Sequence, residues 1–373
     1  MEITGVEVIR FEDESHITSD EKGHAHPAEE PIETTSAITR IEINGGPDGI
    51  AKGGSEEQAR YAEEFIGGRS PFERKRLWDD LYRTQRLGRM TTSGLRYIDL
   101  ALHDAIGKAT GRPVYELLGG YRDSIPIYAS TMVGDDDPDG LGTVDAYVDY
   151  AKDLVEQGYP AIKFHSWMPP YDADPDRVID MCTAVREEIG YDVELMLDSH
   201  HYYDRTEAKR IGDALAELDF AWFEEPMDEY SMSSYEWLSS EVDVPILGPE
   251  TAEGKMYTRA EWLKRDIADL CRTGVGDVGG LTPALRTSHL SESFNVTCEV
   301  HGGGHANLHL VCATPGGDYL EYGLLHPKAE HPTGHAEWCE EPAPDDNGVI
   351  RPPDRPGLGY DIDWDYVEEN RID

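Results

Sequence analysis

Three carboxylates recur at a constant interval in the second half of the chain. Asp198, Glu224 and Glu250 each end a short apolar run, and they follow one another at intervals of 26 residues. A β-strand followed by an α-helix takes roughly 25 to 30 residues, so this spacing puts the carboxylates at the ends of three neighbouring strands. Converging carboxylates repel one another unless a cation lies between them, and oxygen ligands select a hard ion, Mg²⁺ before Mn²⁺ or Ca²⁺. The spacing therefore predicts a magnesium site.

A second glutamate, Glu225, directly follows Glu224. Side chains alternate between the two faces of a strand, so only one of the pair can face the site directly. We predict that Glu224 binds the metal and that Glu225 contacts the metal ligands rather than the metal itself. A lone carboxylate at a strand end is more often a helix cap or a solvated charge, and the prediction depends on the equal spacing of three.

Four other residues at strand ends could move protons or bind an acid. Lys163 lies in the apolar run AIKFH, where burying a lysine is costly unless it has a task. His165 lies two residues further on and points the same way, while His301 follows VTCEV and Glu321 lies on the last strand. Singly, each histidine could be a hydrogen-bonded core residue and the lysine part of a structural ion pair. We predict that together they form the catalytic set.

The alternation of strands and helices that positions these residues begins near residue 125. About eight short apolar strands alternate with amphipathic helices: IPIYAS, AIKFH, ELMLD, AWFEE, PILGPE, IADLCR, VTCEVH and DYLEYG. This order predicts a parallel β/α barrel, in which catalytic groups lie at the C-terminal ends of the strands. A doubly wound open sheet is the alternative, and it is disfavoured because no GxGxxG motif follows any strand.

The chain on either side of the barrel has a different pattern. Residues 1–122 open with two alternating strands, TGVEVIRFE and TSAITRIEI, followed by helical patterns, and so predict an α+β unit. Between the strands, residues 19–31 are interpreted as a mobile loop that carries His24 and His26. We assign residues 123–339 to the barrel and residues 340–373, which are rich in proline and aspartate, to a segment that packs back on the first unit.

The net charge is extreme. The 33 basic and 75 acidic residues give a formal charge of −42, so neither nucleic acid nor an anionic membrane is expected as a partner. Aromatic and apolar runs recur along the chain, which favours a folded protein with a solvated acidic surface over disorder. Such a surface is typical of a cytoplasm rich in molar salt, where the Debye length is about 3 Å. We therefore predict a halophilic source, with an ordinary acidic protein as the alternative.

Cysteine usage and hydropathy predict a cytoplasmic protein. The chain begins with an alternating strand pattern rather than a signal peptide, and no apolar run approaches the roughly 18 residues of a membrane helix. An odd number of cysteines without CxxC spacing argues against a disulfide framework or a zinc site and for reduced thiols. These are Cys182, Cys271, Cys298, Cys312 and Cys339.

The order of the segments resembles the mandelate racemase subgroup of the enolase superfamily. The resemblance spans nearly the whole chain, and it lies in the order and spacing of YIDLALHDAIGKATGRPVYELLGG, AIKFH, LMLDS, WFEEP, GPE, VGGLT, CEVH and YLEYG. It implies that residues 1–122 form a capping domain before a (β/α)₇β barrel, that residues 19–31 close the site, and that the protein is a homo-oligomer.

The resemblance also implies the chemistry. Asp198, Glu224 and Glu250 match the ligands of a Mg²⁺ ion that binds a substrate carboxylate and stabilises the enolate formed when a base removes the α-proton. The substrate is then a small carboxylic acid. Loop residues His24 and His26 are expected to contact it, and Glu321 is expected to bond its carboxylate or enolate as a protonated acid.

Two positions depart from the subgroup. Its second barrel strand usually ends Lys-x-Lys, but here the second position is His165. The histidine of the seventh strand, matched by His301, usually pairs with an aspartate, and the corresponding position is Gly274. Asp277 lies three residues further on, and the sequence leaves open whether it reaches His301. An unpaired His301 would lack the carboxylate that fixes its tautomer and raises its basicity.

These departures favour a dehydratase over a symmetric two-base racemase. We predict dehydration of a sugar acid, an aldonate or aldarate, to a 2-keto-3-deoxy acid. His165 is predicted to be the base, kept neutral by Lys163 and the metal, and His301 the acid that protonates the leaving hydroxyl. Racemisation or epimerisation of a 2-hydroxy acid and lactone cycloisomerisation on the same site are the alternatives. An inert metal-binding barrel is disfavoured, because it would not need Lys163, His165 and His301.

Overall fold

The computed structural model describes residues 1–372 and contains an antiparallel sheet, a parallel barrel and surrounding helices. The strands are β1 (Glu2–Ser19), β2 (Ala25–Asn44), β3 (Gly49–Lys52), β4 (Ile125–Thr131), β5 (Ala161–His165), β6 (Glu194–Asp198), β7 (Trp222–Glu224), β8 (Ile246–Leu247), β9 (Cys271–Thr273), β10 (Cys298–Val300), β11 (Leu320–Leu325), β12 (Cys339–Glu340), β13 (Val349–Ile350), β14 (Asp361–Ile362) and β15 (Arg371–Ile372).

The helices lie between these strands. They are α1 (Glu56–Ile66), α2 (Arg74–Tyr82), α3 (Thr92–Thr110), α4 (Val114–Leu118), α5 (Val144–Glu156), α6 (Pro175–Ile189), α7 (Arg205–Glu217), α8 (Met232–Ser239), α9 (Met256–Arg265), α10 (Val275–Val278), α11 (Leu281–Phe294), α12 (Gly304–Ala313) and α13 (Trp364–Glu369). Within residues 1–372, none of them combines the length and the hydropathy needed to cross a membrane.

The first sheet has the order β15-β1-β2-β3, and its central pair is a long antiparallel hairpin. Alternate residues such as Ile9, Phe11 and Ile38 are buried, as expected for a sheet with one covered face. The predicted loop over residues 19–31 is wrong in extent, because β1 runs to Ser19 and β2 begins at Ala25. Only residues 20–24 form the turn, since backbone pairing between β1 and β2 continues to Ser19 and Ala25.

The second sheet is the predicted barrel. Its barrel strands are parallel in the order β8-β7-β6-β5-β4-β11-β10-β9, and a bridge between Leu247 and Leu270 joins the two ends. Strand β13 of the C-terminal segment pairs antiparallel with β4. Helices follow the strands in the order expected for a (β/α)₇β barrel. Apolar side chains on the strands and facing helices fill the layer between them, among them Phe164, Leu197 and Ile211. The prediction of the fold class is confirmed.

The helix α3 lies between the first sheet and the barrel. It begins after Thr91, whose hydroxyl accepts a hydrogen bond from the backbone N–H of Gly94, and it ends at Gly111 with φ of 66°. Asp104 on this helix accepts backbone hydrogen bonds from Ile50 (2.9 Å) and Leu358 (2.9 Å). This buried carboxylate therefore joins strand β3, helix α3 and the C-terminal segment.

The C-terminal segment returns to the first sheet. Strand β15 pairs with β1 through Arg371 and Phe11, and Val367 packs in the same small cluster as Phe11 and Trp338. The edge of the long hairpin is thereby covered over part of its length, which protects unpaired backbone groups.

Candidate functional site

The C-terminal ends of adjacent barrel strands bring the predicted residues together. In the register of the sheet, His165 on β5 is the neighbour of Asp198 on β6, and Asp198 is the neighbour of Glu224 on β7. Glu250 follows β8 and Glu321 lies on β11. A ring of charged side chains therefore surrounds the mouth of the barrel.

Three carboxylates of this ring converge closely enough to hold an ion. Asp198, Glu225 and Glu250 each offer an oxygen, and the three oxygens lie within 4.8 Å of one another. Burial and the neighbouring carboxylates raise the pKa of Glu225 and of Glu250 well above the ordinary value. A hard divalent cation among these oxygens would relieve this repulsion, so the donor set fits Mg²⁺.

The glutamate pair is not arranged as the strand pattern predicted. Glu224 faces the barrel interior, where its carboxylate lies 2.9 Å from Lys163 Nζ and 2.6 Å from Arg272 Nε. Glu225, predicted to contact the ligands rather than the metal, is instead the glutamate of the pair that converges with Asp198 and Glu250. Its φ of 45° is the reason, because a left-handed residue after the strand ends the simple alternation of faces.

Lys163 lies among three carboxylates at the centre of the ring. Its ammonium is 3.1 Å from Asp198, 2.9 Å from Glu224 and 3.2 Å from Glu321, and its side chain is 1% exposed. Burial opposes the charged form, but these carboxylates outweigh burial and raise the pKa of Lys163 well above its ordinary value. The lysine is therefore a fixed cation in this arrangement.

The ring of His165 is held in one tautomer by the backbone. Its Nδ1 donates a hydrogen bond to the carbonyl oxygen of Thr131 at 2.6 Å, so the proton of the neutral ring lies on Nδ1. Its Nε2 lies 3.1 Å from Asp198. Nε2 is therefore the ring atom that faces the site, and once it has given up its proton it has the orientation that a general base requires.

His301 has the carboxylate partner that the sequence left open. Its Nδ1 donates to Asp277 Oδ1 at 2.9 Å, and its Nε2 lies 3.1 Å from Glu250. Burial lowers the pKa of His301, but Asp277, Glu250 and Glu321 outweigh burial and raise it to about 10. His301 is therefore paired, and an unpaired His301 cannot be the reason to favour a dehydratase over a two-base racemase.

Gly274 explains how Asp277 reaches the histidine. A Cβ at Gly274 would lie 2.5 Å from Asp277 Oδ2 and 2.7 Å from the His301 carbonyl oxygen. The missing side chain after strand β9 leaves the space into which the carboxylate from the first turn of α10 extends. The histidine–aspartate pair is thus kept, although its carboxylate comes from a position three residues later.

Glu321 lies between two cations and a backbone N–H in this structure. Its carboxylate lies 3.2 Å from Lys163 and 3.1 Å from Arg272, and it accepts a hydrogen bond from the Gly302 N–H at 2.8 Å. Burial raises the pKa of Glu321, but the two cations and this N–H outweigh burial and hold it well below the ordinary value. These contacts favour the ionised form, and the neutral acid expected with substrate bound stays a prediction.

Arg272 is the residue of the site that sequence reasoning missed. It is fully buried on β9 and contacts Glu224, Glu250, Glu321 and the Tyr128 hydroxyl. The signal was present in the sequence, because an arginine within the apolar run IADLCR is as costly to bury as the lysine of AIKFH.

The turn between β1 and β2 contributes histidines above the ring. His24 Nδ1 donates a hydrogen bond to the Asp20 carboxylate at 3.0 Å, and the His24 ring stacks on that of His200 with centroids 5.8 Å apart. His200 in turn lies against the His165 ring, at 4.7 Å between centroids. His26 lies beside Asp20 and the Tyr171 ring.

A cavity of about 1120 Å³ opens above this ring, between the first sheet, helix α3 and the barrel. It is lined by Lys163, His165, Asp198, Glu250, His301 and Glu321 on the barrel side, and by Lys52, Arg96 and Tyr360 on the other. Its volume exceeds that of a single small acid, and it joins charged groups of both signs. The arrangement is that of an acid–base enzyme that binds an anionic substrate beside a metal.

Fold and site together define a barrel enzyme with a carboxylate metal centre between acid–base groups. Residues 146–366 match the family model described as enolase C-terminal domain-like. The chain belongs to the enolase superfamily, and it is an enzyme of the lyase or isomerase kinds found there.

Individual relatives agree with this assignment. The arabinonate dehydratase of Saccharolobus solfataricus is 30% identical over 306 residues, which cover 79% of this chain and 77% of that protein. The D-galactarolactone cycloisomerase of Agrobacterium fabrum is 28% identical and covers 93% of this chain and 96% of its own. The crystal structure of D-glucarate dehydratase from Agrobacterium tumefaciens complexed with magnesium is 42% identical over the whole of both chains, with a TM-score of 0.95.

Proposed function

We propose that the protein dehydrates a sugar acid to a 2-keto-3-deoxy acid by removing the proton α to the substrate carboxylate. The observation that carries the proposal is the placement of two histidines on opposite sides of the converging carboxylates. His165 Nε2 lies beside Asp198, and His301 Nε2 lies beside Glu250. Among the relatives, an arabinonate dehydratase and a D-glucarate dehydratase support the same reaction.

The cofactor is Mg²⁺, which the carboxylates fit. Asp198 and Glu250, with the pair Glu224 and Glu225, supply the oxygens that would hold it. When bound, Mg²⁺ supplies Lewis-acid stabilisation of the negative charge that develops on the substrate carboxylate. The solved D-glucarate dehydratase, which was crystallised with magnesium, supports this choice.

His165 takes the α-proton. Its Nδ1–H is bonded to the Thr131 carbonyl, so the Nε2 lone pair accepts the proton as the α-carbon–hydrogen bond breaks. The electron pair passes into the carboxylate and gives an enolate. Lys163, a buried cation beside Asp198 and Glu321, places positive charge near the developing anion.

His301 completes the reaction. Its Nε2–H gives a proton to the β-hydroxyl, the carbon–oxygen bond breaks, and water leaves as the electron pair of the enolate forms the new double bond. The resulting enol becomes the 2-keto acid. Asp277 stabilises the charged ring of His301 before this transfer. His24, in the turn above the ring, and His26, at the start of β2, are proposed to contact the substrate.

Epimerisation at the same carbon is the second candidate. The pair formed by His301 and Asp277 favours it, because a paired histidine can act as a base from the opposite face. Solvent deuterium would then enter unreacted substrate without loss of water. Lactone cycloisomerisation is represented among the relatives by the D-galactarolactone enzyme.

The experiment that tests the proposal is a survey of aldonic and aldaric acids with Mg²⁺. We expect a 2-keto acid from at least one of them, and no product when the metal is removed by a chelator. An epimer of the substrate as the only product would replace dehydration by the second candidate. No product and no deuterium uptake with any acid would contradict both.

The cellular setting is proposed on composition and resemblance alone. We propose a homo-oligomer in the cytoplasm of a halophile, because the acidic surface suits molar salt and the resembled subgroup forms oligomers. Sedimentation in molar KCl measures the oligomeric state. A monomer under these conditions would contradict the proposal.

A further inference from the structure

The side of the cavity that faces the first sheet carries a cation with no carboxylate partner. Arg96 lies in the first turns of helix α3 and lines the same cavity as His165 and His301. Among residues 1–372, no carboxylate lies within the 4.0 Å of an ion pair from its guanidinium. Other arginines among residues 1–372 also lack a carboxylate partner, but Arg96 is the one of them that lines this cavity.

The neighbouring lysine, Lys52, already has a carboxylate partner. Lys52 at the end of β3 lines the cavity, but it forms an ion pair with Glu341 and lies over the Trp338 ring. Its charge is therefore already balanced within the protein. Arg96 is the cation on this side of the cavity that can balance a charge on the ligand.

The guanidinium of Arg96 is oriented but not fully bonded. Its Nη2 donates to the Tyr97 hydroxyl at 2.6 Å, and the group lies 4.6 Å from the centroid of the Tyr97 ring. On the other side, a Cβ at Gly276 would lie 3.2 Å from Nη1, so the glycine leaves that edge open. The remaining N–H groups have the fork geometry that binds a carboxylate with two hydrogen bonds.

We propose that Arg96 binds a second carboxylate of the substrate, so that the acid turned over is a diacid, an aldarate, rather than an aldonate. This inference rests on the proposed function, in which the first carboxylate lies at the metal centre. An aldonate would end in a neutral hydroxymethyl group and would leave the arginine without a counter-charge. A dianion must also enter a strongly acidic protein, and the unpaired arginine offsets part of that repulsion.

The test compares acids that differ only at the distal end. D-Glucarate is paired with D-gluconate and galactarate with galactonate, and kcat/KM is measured for the wild type, Arg96→Met and Arg96→Lys. We expect the wild type to favour the diacid by roughly tenfold or more, and Arg96→Met to lose roughly that factor for the diacid alone. Arg96→Lys should lie between, because it keeps the charge without the fork. Arg89→Met, which removes an exposed arginine on the approach to the same helix, is the matched control.

The inference is overturned if the wild type prefers aldonates, or if Arg96→Met lowers kcat/KM equally for both members of a pair. Calorimetry with Mg²⁺ and the same acids separates this failure from that of the proposed function. If no acid is turned over, the proposed dehydration fails, but weaker binding of glucarate and unchanged binding of gluconate by Arg96→Met still support the subsite. Equal binding of glucarate by the wild type and Arg96→Met overturns it.

Discussion

Position 274, where the resembled subgroup has the aspartate that pairs with the histidine, is a glycine in this chain. The carboxylate of Asp277 occupies the space beside Gly274 and bonds His301. The sequence shows both residues, but their spacing does not reveal that the first turn of α10 points back toward strand β10. The pair depends on a small side chain at one position and an acid at another. Both positions can therefore be tested separately.

Replacing Asp277 with Asn should keep the hydrogen bond but remove the charge that stabilises the histidinium. We expect kcat to fall by roughly 10²-fold or more, with little change in the melting temperature. Gly274→Ala should lower kcat as well, because its methyl group displaces the Asp277 carboxylate. Asp180→Asn on an exposed face of α6 is the control. Full activity of Asp277→Asn would show that the pair does not assist the reaction.

Removing the charge of Glu250 should greatly weaken the metal site. In Glu250→Gln one carboxylate of the converging set becomes a neutral amide, so calorimetry should show a large loss of Mg²⁺ affinity. Glu253→Gln, an exposed neighbour three residues later, should bind Mg²⁺ as the wild type does. If Glu250→Gln binds Mg²⁺ unchanged, Glu250 is not a ligand.

The residues of the site could be predicted in part, because their positions follow from the repeat of strands and helices. The equal spacing brought Asp198 and Glu250 to the same ring. Which glutamate of the pair faces the ring could not be read from alternation, since it depends on the positive φ of Glu225. The surroundings of Glu321 could be predicted only in part, because Lys163 is joined there by Arg272, from a strand five elements earlier in the chain.

Among the elements, strand β10 carries a buried charge that should affect stability rather than chemistry. Glu299 is 2% exposed and accepts one hydrogen bond, from the Asp318 N–H. Burial raises its pKa to about 7, although Arg272 and this N–H act in the opposite direction. The folded protein therefore binds a proton here more tightly than the unfolded chain does, and this contribution to stability is lost as the pH rises from about 4 to about 7.

Glu299→Gln should accordingly gain stability over the wild type as the pH rises. We expect nearly equal free energies of unfolding at pH 5 and a difference on the order of 2–3 kcal/mol in favour of the variant at pH 8. Denaturant titrations at both pH values measure it, and Glu292→Gln, exposed on α11, is the control. A difference that does not change between the two pH values would contradict a raised pKa.

Most elements follow from local patterns, and the exceptions have physical causes. Period-two alternation predicted β1 and β2, and helix signals such as Thr91 and Gly111 mark the ends of α3. The hairpin extends beyond its predicted length, because Ala25, His26 and Pro27 pair with β1 although the segment around them resembles a loop in composition. Pairing across a sheet is set by both strands together, and one strand's composition does not determine it.

For the whole molecule, the acidic surface makes stability depend on salt. With a formal charge of −42, repulsion among surface carboxylates disfavours the compact state in dilute buffer. Molar salt screens it, because the Debye length falls from about 10 Å at 0.1 M to about 3 Å at 1 M. We expect the melting temperature to rise steeply from dilute buffer to molar KCl. A melting temperature indifferent to salt would contradict the halophilic interpretation.

We propose that the barrel holds its substrate between a base on β5, His165, and an acid after β10, His301. Deuterium exchange at the α-carbon in D₂O, measured with a substrate found in the acid survey, tests this division directly. His301→Asn should stop the loss of water yet retain some α-exchange, whereas His165→Asn should stop both. If His301→Asn abolishes exchange and His165→Asn retains it, the roles are reversed and His301, paired with Asp277, is the base.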